Sequence, residues 1–240
     1  MTSKYSEQGS QTLLILDKAK NFTDWMYAEI KPYLEGNILE IGSGIGTYSE
    51  KIINDFKDNK IILSDIDSNF VKVLKERFTS KHNLIISKID LTKLSDLEQI
   101  KSKINTVFAL NVLEHIEDDV SALNNVYSKL EHGGKFVILV PAHKFLFNTI
   151  DKAVGHYRRY TKKDIVQKVS ETKFKIKKMF YFNFVSMLAW YINGNILKKS
   201  EIIQGAMSLF NKMVPIFRFF EKFVLFKKMG ISLIVVLEKD

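Results

Sequence analysis

Gly42, Gly44 and Gly46 fall within five residues, directly behind the apolar run Ile38-Leu39-Glu40-Ile41. Glycine in a strand-to-helix turn lets the backbone approach a ligand closely and take positive φ. The spacing departs from the dinucleotide fingerprint G-x-G-x-x-G, whose third glycine would stand where Thr47 does. No Gly-Lys-Ser/Thr follows, which argues against a triphosphate loop. Carboxylates punctuate the same region: Glu40 at the end of the first apolar run, Asp65 after the second and Asp90 after the third. An acid about 20 residues past a glycine turn can accept both ribose hydroxyls of a nucleoside. Asp67 competes for that role, but Asp65 stands better relative to a helix starting near Asn69. Three carboxylates at one edge would repel a pyrophosphate and attract a nucleoside that carries ammonium and sulfonium groups. Taken singly, each acid also reads as a cap of the helix that follows it. The conjunction with the glycine turn is what points to a ligand.

The elements that must hold these residues follow from periodicity. Apolar residues recur at helical spacing from residue 13 to 34, closed by Pro32 and Gly36. Short apolar runs at 38–41, 60–64, 84–89, 104–110 and 134–140 read as strands, and 48–56, 69–78 and 120–130 read as helices between them. Strands alternating with helices at this pitch predict an α/β chain with a parallel sheet covered on both faces. Residues 174–181 and 231–237 are strand-like and bracket a largely helical insertion at 185–230.

At this point the chain resembles the class I S-adenosylmethionine-dependent methyltransferases. LEIGSGIG is similar to the first motif of that family, LSDID to its second-strand acid, KIDL to its adenine-side acid and LEHGGKFVILVP to its fifth-strand block. ALNVLEHIEDD resembles the segment after strand four in the small-molecule branch called type 11. GHYRRYTKKDI and ISLIVVLEK resemble a bacterial subgroup associated with glycan or lipid-sugar biosynthesis. The resemblance implies a Rossmann-like seven-stranded sheet, mostly parallel with an antiparallel last strand, in a single domain over 1–240. An N-terminal helical cap (1–36) and a helical insertion before the last strand (185–230) would complete it. It implies S-adenosyl-L-methionine as cofactor, with Gly42, Gly44 and Gly46 along its methionine part and Glu40 on its amino group. Asp65 would hold the ribose, Asp90 and Leu91 the adenine edge, and Asn111 would flank the methyl donor. Ser43 and Ile66 count among the cofactor-binding residues by the same resemblance. Asn105 departs from the family, whose relatives usually carry an Asp there.

Methyl transfer from a sulfonium is an in-line displacement that needs alignment and exclusion of water. A hydroxyl acceptor also profits from a base, for which histidine is the best-tuned side chain. His115 and His143 both follow strands at the face where the cofactor opens, with His115 favoured as base or acceptor-positioning residue and His143 next. A structural hydrogen-bonding role is the competing reading for each, and His82 and His132 read as solvent-facing turn residues. His156, Tyr157, Arg158 and Arg159 form a substrate-binding candidate, because two guanidinium forks can grip an acceptor phosphate or carboxylate. The alternative is a loop pinned to nearby acids. Glu114, His115 and Asp118 could hold a divalent cation, but these carboxylates read equally as a solvated helix start, and no metal is expected.

Composition bounds the partners. With 240 residues and 46% hydrophobic content the chain can bury one sizeable core. The absence of cysteine removes disulfides and thiolate metal sites and fits a cytoplasmic setting. The first residues carry no signal-peptide core. Residues 171–230 hold a net charge of +8 out of +9, together with 13 of the 29 aromatics, so that region reads as a surface meeting something anionic and partly apolar. The uncharged run 179–197 contains Asn183, Ser186, Asn193, Gly194 and Asn195, which make it a poor membrane span. Three readings stay open for the insertion: a lid over the acceptor, a peripheral contact with the inner face of the membrane, or a homo-oligomer interface. A small-molecule or glycan acceptor is expected. Nucleic acid is disfavoured, because Ala109-Leu110-Asn111-Val112 lacks the Asn/Asp-Pro-Pro-Tyr of base methylation and the basic residues are interleaved with large aliphatics. A cofactor-binding scaffold without activity is the non-enzyme alternative.

Overall fold

The computed structural model describes residues 7–78, 83–199, 204–225 and 227–240. Two helices, α1 (Glu7–Lys18) and α2 (Lys20–Ile30), precede β1 (Ile38–Ile41), α3 (Ser49–Asp55), β2 (Ile61–Asp65), α4 (Ser68–Arg77) and β3 (Leu84–Lys88). The chain continues through α5 (Leu94–Glu98), β4 (Ile104–Leu110), α6 (Asp119–Lys129), β5 (Leu130–Pro141), α7 (Thr149–Ala153) and α8 (Lys162–Ser170). It closes with β6 (Lys175–Phe182), α9 (Phe184–Trp190), α10 (Gln204–Phe220) and β7 (Ser232–Glu238). The sheet has seven strands in the order β3-β2-β1-β4-β5-β7-β6. Strands β1 to β5 pair in parallel, while β7 runs antiparallel to both of its neighbours. This is a Rossmann-like methyltransferase sheet, as the motifs implied.

Strand order reverses at β1, which pairs with β2 on one side and β4 on the other. Glu40 sits level with Leu63 and Phe108, so the carboxyl ends of β1, β2 and β4 open onto one crevice. Open α/β sheets bind ligands at such a reversal. Alternate residues of each central strand feed opposite cores. Leu39 and Ile41 pack with Phe136, Ile138, Leu233 and Val235 on one face, and Ile38 packs with Val137, Leu139, Ile234 and Val236 on the other. Burial on both faces explains why these strands read as continuous apolar runs rather than alternating ones.

Several boundaries differ from the periodicity reading. The helix expected over 13–34 is broken at Ala19 into α1 and α2, with Pro32 in a short 3-10 turn (Lys31–Tyr33). α5, α7 and α8 were not legible as apolar stripes because each is short. α7 and α8 are instead announced by capping boxes, Asn148 with Asp151 and Thr161 with Asp164. Asp67 caps α4 by accepting from the Asn69 N–H (2.8 Å), which leaves Asp65 as the acid at the strand end. His82 lies outside the described residues. His132 is exposed at the start of β5, with Nδ1 against the Asp240 carbonyl.

The insertion is tied down at several points. Asn211 of α10 accepts from the Phe22 N–H and takes a hydrogen bond on its carbonyl from Asn21 (both 3.0 Å). Glu221 accepts from the Asn183 and Phe184 N–H groups (2.8 and 2.9 Å), joining the end of α10 to the start of α9. Asn148 donates to Asn195 (2.9 Å). Met207, Phe210, Val214 and Phe217 pack inward against α2 and the sheet. Leu209, Ile216, Phe219, Phe220 and Phe223 lie outward, each more than half exposed. Among the described residues no helix is long and apolar enough to cross a membrane.

Candidate active site

The turn after β1 is laced to the end of β2. Ser43 donates its N–H to the Ser64 carbonyl (2.8 Å), and Ser43 Oγ accepts from the Ser64 N–H (3.1 Å). The Asp65 carboxylate accepts from the N–H groups of Gly44 and Asp67, both at 2.9 Å. Gly42 has φ +71°, and a Cβ there would stand 2.5 Å from Val112 Cγ2, so positive φ and close approach both demand glycine. Glu40 is 3% exposed and accepts from the hydroxyl of Ser49. Burial pushes its carboxyl up to about 7, against the lowering influence of the Ser49 and Ser43 hydroxyls and with a further upward push from Asp65.

A cavity of about 350 Å³ opens on this turn. Glu40, Gly42, Ser43, Gly44, Asp65 and Asn111 line it. So do His115, His156, Arg159 and Trp190, together with Leu13 of α1 and Met207 and Phe210 of α10. Asn111 holds φ +54°, a left-handed conformation that Asn tolerates, with its N–H on the Leu139 carbonyl (2.9 Å).

Other expected residues do not reach the cavity walls. Gly46, expected along the methionine part, packs instead: with φ +87°, a Cβ there would meet the Phe78 ring at 2.5 Å. Ile66, Asp90 and Leu91 lie beyond the cavity, with Leu91 in the core and the Asp90 carboxylate accepting from the Thr92 N–H and hydroxyl. His143, the second candidate base, is stacked on Tyr181 (centroids 4.8 Å, 18°) outside the cavity. Burial lowers the pKa of its imidazole, and its buried Nε2 has no hydrogen-bond partner among the described residues. Tyr157 is exposed, and Arg158 is pinned to Asp119 (3.0 Å) and the Glu117 carbonyl (2.9 Å). Of the two arginines only Arg159 reaches the cavity. It is buried, donates from Nε to both oxygens of Asp151 (2.9 Å each) and lies over the Trp190 ring (4.7 Å).

Two of these lining residues, His115 and His156, meet Glu114 in a corner that spacing alone did not assemble. Glu114 is fully buried, and among the described residues neither carboxylate oxygen has a partner beyond its own backbone N–H. Burial pushes it up to about 7, while His156 and Arg159 pull it down. His156 holds Nδ1 against Asp151 (2.7 Å) and Nε2 at 3.7 Å from Glu114. His115 holds Nδ1 at 3.1 Å from the Gly155 carbonyl. A carbonyl only accepts, so that nitrogen carries the proton and Nε2 the lone pair. Burial, and then the neighbouring His156, push His115 down to about 4, so it is neutral. The two imidazoles meet edge to face, 4.8 Å between centroids. Asp118, grouped with Glu114 and His115 from the sequence, instead caps α6 through the Ser121 N–H (3.0 Å). Asp151, which braces both His156 and Arg159, was missed; its only local signal is the Asn148–Asp151 capping box.

Comparison with known proteins bears on the class. Residues 39–136 match the methyltransferase domain family. Malonyl-[acyl-carrier protein] O-methyltransferase 1 of Ilyobacter polytropus is 28% identical over 146 residues, covering 58% of this chain and 53% of that protein. The chain thus spans about half the length of the curated relatives it matches. Among solved structures, a SAM-dependent methyltransferase from Archaeoglobus fulgidus superposes with a TM-score of 0.60 at 16% identity, over 95% of this chain and 99% of that one. Haemonchus contortus phosphoethanolamine N-methyltransferase 2, solved with S-adenosyl-L-methionine, gives 0.58 at 16% identity over 91% and 52%. Residues 39–136 thus match a methyltransferase domain and the solved structures share the fold of this chain, which makes S-adenosylmethionine the cofactor to test against the turn. The residues present fit it, because a buried acid whose partners are hydroxyls suits an ammonium and the turn at Gly42 has no room for a Cβ.

Proposed function

We propose that the protein methylates a hydroxyl of a glycan-type polar acceptor presented at an anionic membrane surface. The observation that carries this reading is that the acid-lined turn and the His115–His156 pair line one and the same cavity. When bound, the cofactor supplies an electrophilic methyl group on its sulfonium. Glu40 pairs with the cofactor's ammonium, and Gly42, Ser43 and Gly44 give backbone contact. The Asp65 carboxylate, which already accepts from the amides of Gly44, Ile66 and Asp67, keeps lone-pair capacity for a ribose hydroxyl. Asn111 flanks the reacting methyl, and Ile66, Asp90 and Leu91 lie toward the adenine end. His115, held neutral with its proton on Nδ1, accepts a hydrogen bond from the acceptor hydroxyl, aligns its oxygen and takes its proton on Nε2 as the methyl is transferred and the cofactor leaves as a neutral thioether. The lining residues of α1, α9 and α10 exclude water from this space. A carboxylate acceptor, as the name of the Ilyobacter relative implies for that protein, is less favoured because the buried Arg159 is already neutralised by Asp151.

The insertion then serves two purposes through its two faces. Its inner face is a lid. The outward stripe of Leu209, Met213, Ile216, Phe220 and Phe223 recurs at helical spacing, and Lys212, Arg218 and Lys222 lie along the same helix and the turn after it. A helix apolar on both faces and flanked by cations suits the headgroup layer of anionic lipid. A second copy of the chain is the other occupant of that face. Transfer of labelled methyl from S-adenosylmethionine into separated lipid, soluble-sugar and RNA fractions tests the whole reading. Label in lipid supports it, label confined to soluble sugar removes the membrane, and label in RNA overturns the acceptor class. Sedimentation with anionic vesicles at low salt, reversed at high salt, tests the surface separately.

A further inference from the structure

Among the described residues no other residue hydrogen-bonds the fully buried Glu114 carboxylate, and a carboxylate in that condition calls for a counter-charge or a ligand. Two imidazoles stand beside it. His156 Nε2 is 3.7 Å away, and the ligating atoms of Glu114, His115 and His156 all lie within 4.8 Å of one another. Both rings are oriented from behind. Asp151 accepts from His156 Nδ1 at 2.7 Å and the Gly155 carbonyl from His115 Nδ1 at 3.1 Å, so each ring, when neutral, offers the Nε2 lone pair to an ion. Asp151 is itself fixed by Arg159 and by the Asn148 N–H. A carboxylate or carbonyl behind each imidazole is the usual outer support of a histidine metal ligand. His115 and His156 also line the cavity, so an ion held in this corner would face the acceptor.

We propose that Glu114, His115 and His156 form a divalent-cation site on the acceptor side of the cavity. Two imidazoles and one carboxylate suit a first-row transition ion such as Mn(II), Co(II) or Zn(II) better than Mg(II) or Ca(II), which prefer oxygen donors. Three protein ligands leave coordination positions for oxygens of the acceptor, and a sugar with neighbouring hydroxyls could supply two. Only this last point rests on the proposed function, and with an ion bound His115 acts on the acceptor hydroxyl through the ion rather than directly; cation binding by the corner rests on neither. The site departs from the grouping suggested by spacing, because Asp118 is spent on a helix cap while His156 arrives from a distant loop.

The test uses the full chain, stripped with a chelator and free of cofactor and acceptor. Co(II) is titrated by visible absorption and Mn(II) by the loss of its free-ion spin resonance. The expected result is one equivalent bound, with affinity reduced at least tenfold in Glu114→Gln and in His156→Gln and unchanged in Asp118→Asn. Absence of saturable binding to the wild-type chain overturns the proposal, as does equal binding by a folded Glu114→Gln. Should that variant fail to fold, His156→Gln decides by the same criterion. Cofactor affinity measured on the same samples separates the two ideas: intact cofactor binding without a cation sinks this site alone, whereas loss of cofactor binding bears on the proposed function.

Discussion

Glu40 offers the most quantitative test of how the cofactor is held. Its carboxyl is pushed from 4.5 up to about 7 mainly by burial, with hydroxyls as its hydrogen-bond partners. That shift corresponds to about 3 kcal/mol favouring the neutral form. An arriving ammonium reverses the preference, so binding must expel a proton wherever Glu40 is protonated beforehand. At pH 7 about half a proton should leave per cofactor bound, and at pH 6 about nine-tenths. Apparent affinity should weaken by about fivefold from pH 7 to pH 6. The assay is calorimetric titration with S-adenosylhomocysteine, which keeps the amino group and cannot transfer methyl, in buffers of differing ionisation enthalpy. Glu114 also titrates near 7, so Glu40→Gln is the control: it should abolish the buffer dependence and bind more weakly. The stability consequence runs the opposite way in the ligand-free chain. A carboxyl raised above its unfolded value stabilises the fold fully below about pH 4.5 and loses that contribution as pH rises through 7. A binding enthalpy independent of buffer at pH 6 would refute the assignment of Glu40 to the ammonium.

Other perturbations have equally definite outcomes. Gly42→Ala places a Cβ 2.5 Å from Val112 at a positive φ, and should cut cofactor affinity at least tenfold by displacing the turn, read by the same calorimetry. Arg159→Ala leaves Asp151 buried without its guanidinium and should cost about 3–5 kcal/mol in denaturant unfolding. His115→Ala should lower turnover much more than cofactor affinity; an unchanged rate returns this residue to a purely structural role. Phe219→Ser with Phe220→Ser should abolish vesicle sedimentation while leaving unfolding midpoints within about 0.5 kcal/mol equivalent, because both side chains are more than half exposed.

The strands, the glycine turn and the acids at Glu40 and Asp65 were legible in the amino-acid sequence because each is written in a short window. Apolar run length specifies a doubly covered strand, a glycine specifies positive φ, and chain order sets which acid ends which strand. Even the helices that were missed, α7 and α8, carry their signal locally in capping boxes. Other matters depended on packing across the sheet. Gly46 has the same local pattern as Gly42, yet one meets Phe78 and the other Val112 beside the cavity. His143 and His115 both follow strands, yet only His115 reaches the cavity. Arg158 and Arg159 are adjacent, but alternation of direction sends one to Asp119 and the other to Asp151. Spacing therefore determined the class of fold and put Glu40, Gly42 and Asp65 at one edge of the sheet. Only the tertiary structure assembled the histidine corner, because Glu114, His115, Asp151 and His156 meet through the β5 crossover and no local rule links residues so far apart in the chain.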